Sequence, residues 1–328
     1  MKVLVTGATG FVGKALCQRL LADNHELNIV TRGVTQDPAG VRASFNLGDI
    51  STCPDFSGAL EGVEVVLHLA ARGHILTAED SEALTAFRAV NTAASLALAK
   101  QGAAAGVRRF IFLSSIKANG EFTRPGQRFN HVDAPTPLTP YGISKLEAEN
   151  ELRQLAATTG LDVVIIRPPL VYGRGVGANF RTMMNCVHRR VPLPLASVTH
   201  NWRSLIGIDN LVDLLAICVA HPAAANQIFI PGDDEDVSTA ELLRRLGHAM
   251  GRPALLFPCP VEMLRIGAAL LGRIDMAQRL ISSLQVDSSH ARNVLGWSPK
   301  VSLDEGLRRA AESFIRDSKR GREAADVF

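Results

Sequence analysis

This chain predicts an α/β fold, a doubly wound parallel sheet with a smaller C-terminal α+β lobe. Three observations predict it. Short apolar runs alternate with helix-period segments through the first half. A glycine-rich turn at Gly7, Gly10 and Gly13 separates the first apolar run from the first helical pattern. Beyond Pro168 the segments shorten and gain Pro and Gly, which suits an appended lobe.

The elements follow in order. Val3-Leu4-Val5 is the first strand, and the helix from Gly10 or Phe11 sets Val12, Ala15, Leu16 and Leu20 on one face. Leu27 to Val30 is the second strand, and a short third strand precedes Gly48-Asp49-Ile50. Val63 to Leu69 is the next strand, followed by a long helix from about Glu82 to Lys100. Phe110 to Leu113 is a strand that ends in Ser114-Ser115. Pro135, Pro137 and Pro140 lead into a helix from near Tyr141 to about Thr159, because proline suits the first turn or the position just ahead of it. Val163 to Ile166 is a further strand, stopped by Pro168-Pro169. In the lobe, Ser238-Thr239-Ala240-Glu241 is a capping box that opens a helix. The acidic run Asp233 to Asp236 before it reads as a solvated turn. Leu264 to Leu271 reads as a buried helix in preference to a membrane-surface one. The polar tail from Arg316 is expected to fray.

Bulk properties exclude several classes. The 328 residues suffice for one large domain or a domain with a lobe, and 47% hydrophobic with 20% charged residues is ordinary for a soluble globular protein. A net charge of +3, with no basic stripe interleaved with aromatics, argues against nucleic acid as a partner. The five cysteines are odd in number and form no CxxC, which predicts reduced, mostly buried thiols and a cytoplasmic location. No secretory signal is visible, and no apolar run reaches the ~20 residues of a membrane span. The nine histidines include no HxH or HExxH, so no metal is expected. His68, flanked by apolar residues on its strand, reads as a core histidine.

The glycine turn has a chemical use. Between a strand and a helix, such glycines permit a tight turn, a close backbone approach to a pyrophosphate, and tight helix–strand packing. The helix N-terminus then offers free amides to the phosphates. Gly7, Gly10, Phe11, Val12 and Gly13 are therefore candidate dinucleotide contacts, and the fold is expected to be Rossmann-type. An NAD site usually carries an acid at the end of the second strand, but here Thr31-Arg32 stands there. The Arg32 guanidinium suits a ribose 2′-phosphate, which favours NADP over NAD; the alternative is a solvated surface arginine. Asp49 and Ile50 would suit an adenine contact. The expected division places residues 1–166, with a returning segment at about 204–230, in the dinucleotide-binding domain. Residues 167–203 and 231–328 form the substrate lobe.

Tyr141-Gly142-Ile143-Ser144-Lys145 supplies the chemistry. Tyr141 and Lys145 lie four apart on one helix and share a face. A free phenol titrates near pH ~10. A neighbouring ammonium and a positive nicotinamide ring favour the phenolate and so lower that value. Lys145 can also hold the nicotinamide ribose. Ser115, with Ser114 beside it, provides a hydroxyl for the reacting oxygen. A dinucleotide cradle with a tyrosine acid/base means hydride transfer at a carbon bearing a hydroxyl or carbonyl.

With these motifs the chain resembles the extended short-chain dehydrogenase/reductases, in their nucleotide-sugar epimerase/dehydratase branch. The resemblance runs through Thr6 to Gly13, His68-Leu69-Ala70-Ala71, Val90-Asn91-Thr92, Ser114-Ser115 and Tyr141 to Lys145. It continues through Arg167 to Gly173, Arg203 to Asn210, and Leu295 to Pro299. It implies that Tyr141 is the acid/base, Lys145 its partner and Ser115 the hydroxyl at the sugar oxygen, with Ser114 also at the substrate. Leu69, Ala70 and Ala71 would line the cofactor, and Pro168 would lie against the nicotinamide. Arg203 would clamp the nucleotide diphosphate, and Asn179 would lie near the diphosphate or sugar. A homodimer built on the helices at 82–100 and 141–159 is also implied.

Some residues depart from the pattern. After Ser115 come Ile116-Lys117-Ala118-Asn119-Gly120-Glu121, where UDP-galactose 4-epimerases usually have Ala-Thr-Val-Tyr-Gly. Arg167-Pro168-Pro169 stands where those enzymes tend to have Arg-Tyr-Phe-Asn. Ser114 to Glu121 and Ser283 to Asp287 are more similar to a bacterial subgroup of O-antigen and capsule sugar assembly. Some of its members reduce a UDP-4-keto-6-deoxy-N-acetylhexosamine. The resemblance and Arg32 therefore point first to such a reductase and second to a UDP-glucose or UDP-N-acetylglucosamine 4-epimerase. A dehydratase would need an acid pair beside the catalytic Ser or Thr, where Ile116 and Lys117 stand. A non-catalytic NADP sensor, which often loses the Tyr or Lys, ranks below the enzyme because both are kept.

Overall fold

A computed structural model of the chain describes residues 1–33, 38–73 and 80–325. The first two segments give β1 (Lys2–Thr6), α1 (Phe11–Ala22), β2 (Glu26–Thr31), β3 (Ala43–Asn46), α2 (Ser57–Leu60) and β4 (Val65–His68). Next come α3 (Asp80–Phe87), a π-helical stretch Arg88–Ala93, α4 (Ala94–Ala104), β5 (Arg109–Leu113), α5 (Pro140–Thr159) and β6 (Asp162–Ile166). The remainder gives β7 (Leu170–Tyr172), α6 (Ala178–His188), β8 (Leu205–Gly207), α7 (Ile208–Ala220) and β9 (Ile228–Phe229). It closes with α8 (Thr239–Ala249), α9 (Val261–Leu270), α10 (Ile274–Ile281), α11 (Ser289–Leu295) and α12 (Leu303–Ala325).

The main sheet has the order β3-β2-β1-β4-β5-β6-β9, and every pair is parallel. Its inner strands β1, β2, β4, β5 and β6 are buried on both faces, as a sheet covered on both sides requires, while the edge strand β3 exposes Ser44 and Asn46. Alternate residues feed two cores. Val3, Val5, Ile29, Leu67, Ile111 and Val164 pack with α1 and α7, through Leu16, Leu20, Leu211 and Leu215. Leu4, Val30, Val66, Phe110, Phe112 and Ile165 pack with α4 and α5, through Leu98, Ala99, Ala148 and Leu152. The strand order reverses at β1 and β4, and ligands of such sheets bind at the carboxyl ends of the strands there. A third core joins α6, α8 and α12 through Phe180, Met184, Leu243, Leu246, Leu307 and Phe314. β7 and β8 pair in a separate two-stranded parallel sheet.

Several expectations change. The helix expected over 82–100 runs longer and contains the π-helical stretch. The Asp233–Asp236 run is no solvated turn. Asp233 is buried, accepting from the Gly207 amide (3.0 Å), Asn210 Nδ2 (2.7 Å) and the Tyr172 hydroxyl (2.8 Å). A carboxylate in that position satisfies the donors where β8 meets α7. The apolar stretch 264–271 is not buried: α9 has no buried residue, and Met263, Ile266, Leu270 and Leu271 are exposed. Only its other side, at Val261 and Leu264, touches the third core, because apolar content does not by itself create a partner. The tail from Arg316 continues as helix to Ala325. All five cysteines are free, but only Cys17 and Cys218 are buried and Cys53 is exposed. Among the described residues, no helix is long and apolar enough to cross a membrane.

Candidate active site

The cradle forms where β1 turns into α1. Gly7 takes φ +72°, and a Cβ on it would lie 2.7 Å from the Ala70 amide nitrogen. A Cβ on Gly13 would lie 2.1 Å from the Gly7 carbonyl oxygen. Only glycine fits at either position. Gly10 caps α1 without a side chain, so no side chain occupies the first-turn amides. These residues fit a pyrophosphate at the helix N-terminus. Phe11 and Val12 open α1, half-buried. Leu69, Ala70 and Ala71 follow β4, and the Leu69 and Ala70 amides are tied to Thr6.

At the far edge, Arg32 is exposed just after β2. Asp49 follows β3, accepting from the Ser51 amide at 2.9 Å, and Ile50 beside it is buried. Hydrogen bonds from Ser51 hold the Asp49 carboxyl below its ordinary value, and Arg72 and Arg32 assist. An ionised acid therefore lies within electrostatic reach of Arg32, which weakens the sequence argument for a 2′-phosphate.

The acid/base group is set by α5. Thr139 caps it, accepting from the Gly142 amide at 3.3 Å, and Pro140 is its first residue. Gly160, at φ +72°, ends it. A Cβ on Gly142 would lie 2.5 Å from the Lys117 carbonyl oxygen, so this glycine brings α5 against the turn after Ser115. Lys117 Nζ pairs with Glu121 at 2.9 Å, and Thr139 Oγ1 donates to Glu121 at 2.7 Å, closing the junction. The chain from Gly120 to Leu138 lines a cavity of about 660 Å³, with Glu121, Phe122, Arg124 and Phe129 on its walls.

The Tyr141 phenol lies within reach of the Ser115 hydroxyl. Burial pushes the phenol above its ordinary value, and Ser115 pulls it back only in part. The lowering expected from Lys145 is therefore not realised: burial outweighs it. Lys145 is buried, with Nζ 4.0 Å from the Phe112 ring centroid, and burial pushes it down to about 7 against the pull of Glu149. No hydrogen-bond acceptor meets its ammonium among the described residues. Pro168 is buried, and its carbonyl accepts from the Ile116 amide at 3.0 Å, which sets it beside the Ser115 turn.

Three expected substrate contacts fare differently. Ser114 is buried and its hydroxyl donates to the Glu149 carboxylate, committed to the core ion pair, because successive side chains leave a strand on opposite faces. Arg203 donates to the carbonyls of Arg279 (2.8 Å) and Ser282 (3.2 Å) and makes no ion pair among the described residues. Burial lowers its affinity for the proton, against the field of Glu121. A desolvated guanidinium without a carboxylate suits a phosphate. Asn179 is exposed in the first turn of α6, and no contact among the described residues joins it to Arg203 or Tyr141.

Other residues of the site carried no assigned role in the sequence. Asn91, in the π-helical stretch, bonds Ser144 Oγ (3.0 Å) and both backbone groups of Arg72, so it ties the loop after β4 to α5. Its signal was the Val90-Asn91-Thr92 run. Glu149 and Arg167 form a buried ion pair beneath Lys145, and no local motif marks it. His68 is a core histidine as expected: its ring bonds Thr6 at 2.7 Å and Ser95 at 2.8 Å. No group of three metal-ligating side chains occurs among the described residues.

Comparison with known proteins places this geometry. The model of the NAD dependent epimerase/dehydratase family matches residues 3–230. The chain is 44% identical over 319 residues to a UDP-glucose 4-epimerase of Vibrio cholerae, covering 97% of each. The UDP-glucose 4-epimerase of Thermotoga maritima, solved with UDP-glucose, superposes with a TM-score of 0.78 at 23% identity, over 97% of this chain and 100% of that one. The UDP-glucuronic acid 4-epimerase of Bacillus cereus, solved with NAD, gives 0.77 at 23%, over 96% and 97%. The chain belongs to the NAD dependent epimerase/dehydratase family.

Proposed function

We propose that this chain is an oxidoreductase at C4 of a UDP-sugar and works as a 4-epimerase, with UDP-glucose or UDP-N-acetylglucosamine as substrate. The observation that carries the proposal is the approach of Ser115 to Tyr141, one turn from the buried Lys145 on α5, in a chain whose β1–α1 turn admits only glycine at Gly7 and Gly13. The near-full-length relative from Vibrio cholerae supports the substrate class. The family's dinucleotide, when bound, supplies the hydride acceptor and donor. Tyr141 takes the proton from the C4 hydroxyl and later returns it. Ser115 holds the reacting oxygen through the same exchange. Lys145 favours the phenolate by its charge and would bind the nicotinamide ribose. Arg203 would hold the diphosphate so that C4 meets Tyr141.

One observation favours a second reading. Arg32 stands exposed where an acid would favour NAD, which suits NADPH and a single reduction of a UDP-4-keto-6-deoxy-N-acetylhexosamine. The ionised Asp49 nearby and the relative from Vibrio cholerae support the epimerase instead, so the order suggested by the sequence is reversed. A non-catalytic sensor is disfavoured by the intact Tyr141–Lys145 pair.

Purified protein incubated with UDP-glucose and with UDP-N-acetylglucosamine, without added reductant, tests the proposal. Interconversion of C4 epimers supports it. No interconversion, with loss of NADPH absorbance on adding the 4-keto sugar, establishes the reductase. Arg32→Asp is expected to move the NAD/NADP affinity ratio about tenfold toward NAD; an unmoved ratio makes Arg32 a surface charge. A homodimer through the helices at 82–100 and 141–159 is the expected assembly, which light scattering on the purified protein tests.

A further inference from the structure

The buried charges beneath the acid/base site do more than fill a core. Glu149 lies one turn beyond Lys145 on α5, on the same face. It is 1% exposed, and Arg167, just past β6, is 2% exposed. Arg167 Nε reaches both Glu149 oxygens, at 3.1 and 3.0 Å, and its Nη1 donates to Asn119 at 2.9 Å. Ser114 donates to the same carboxylate from the end of β5. One anion and two cations are therefore buried together, with Glu149 paired directly to Arg167 and acting on Lys145 through its field. Such an arrangement persists only while each charge has a partner.

Other neighbours of Lys145 cannot replace Glu149. On β5, Phe112 offers its ring face. On β4, His68 is held neutral by burial and by Lys145 itself. Tyr141, one turn earlier on α5, is a phenol that burial holds neutral. Arg167 is a cation that proteins do not deprotonate. If Glu149 lost its charge, two buried cations would face each other, and only the lysine could yield a proton.

We propose that Glu149 is a positioning residue for the hydride-transfer site: its carboxylate keeps Lys145 in the ammonium form that supports the Tyr141 phenolate. The proposal rests on the roles given above to Tyr141 and Lys145. Burial already pushes Lys145 down to about 7, and Glu149 is the group that opposes this. Without Glu149 the ammonium is lost at neutral pH, the phenolate forms only at higher pH, and the acid limb of the kcat–pH profile moves upward.

The test follows the side-chain NMR titration of Lys145 in ¹³C-lysine-labelled full-length protein, with Lys145→Arg identifying its resonance. In Glu149→Gln the midpoint is expected to fall by about one pH unit or more. In the double variant Glu149→Leu/Arg167→Met, an apolar replacement that buried pairs often tolerate, it is expected to stay below that of the unmodified protein. An unchanged midpoint in the single variant would show that Glu149 does not act on Lys145, and a full return in the double one that it serves only to neutralise Arg167; either overturns the proposal. If the single variant does not fold, the double variant decides alone: a lowered midpoint supports the proposal and an unchanged one overturns it. The titration needs no substrate. If the unmodified protein turns over no UDP-sugar, the functional reading fails while the lysine result stands on its own.

Discussion

At the scale of single residues, burial dominates electrostatics at this site. Tyr141 rises, Lys145 falls and His68 falls to about 3, each chiefly because water is excluded. His68 gives a stability test with a definite sign. Unfolded, its ring takes a proton below pH ~6.5; folded, it stays neutral down to about 3. Its folded value is depressed, so the unfolded state binds more protons over that window, and stability falls as pH falls below ~6.5. The slope from this one residue is about 1.4 kcal/mol per pH unit. Urea unfolding at pH 6.5 and at 5 should show that loss, and His68→Gln should remove about that much of it. An equal slope in the variant would assign it to other groups.

Elements were legible where local chemistry marks them. The strand–glycine–helix start, the Pro-capped α5 and the Ser238 capping box, in which Ser238 Oγ accepts from the Glu241 amide at 3.1 Å, all sit where the sequence puts them. The alternation of short apolar runs with helical segments announced a parallel sheet. Long-range pairings were illegible. Nothing near Ser114 reveals that its hydroxyl meets Glu149, 35 positions on. Nothing near Asp233 reveals Tyr172 and Gly207, so a charged run looked like a solvated turn. The close approach at Gly142 was equally hidden, and it carries a prediction. Gly142→Ala places a Cβ 2.5 Å from the Lys117 carbonyl and must push α5 from the Ser115 turn. A misplacement of that order costs roughly 100-fold in turnover. Kinetics with a cofactor-binding measurement should show lost kcat and retained cofactor affinity; unchanged kcat would mean the junction yields elsewhere.

In the whole molecule, the sheet carries the cradle and the acid/base helix, and the third core carries Arg203's surroundings. Asp233 links them, because it binds Tyr172 of β7, the amide at the β8–α7 junction and Asn210 of α7, which in turn accepts from the Lys300 and Val301 amides. Asp233→Ala strands these donors and should cost about 2–4 kcal/mol. Calorimetry should show that loss together with weakened UDP binding, whereas UDP affinity at the unmodified level would separate the lobe's stability from its site. The central claim is Tyr141-dependent hydride transfer at C4 of a UDP-sugar. UDP-glucose deuterated at C4 tests it most directly, followed by NMR in ordinary water. The account predicts a C4 epimer that keeps its deuterium, and none with Tyr141→Phe although cofactor still binds. No epimer at all, or an epimer whose deuterium has washed into solvent, would contradict it.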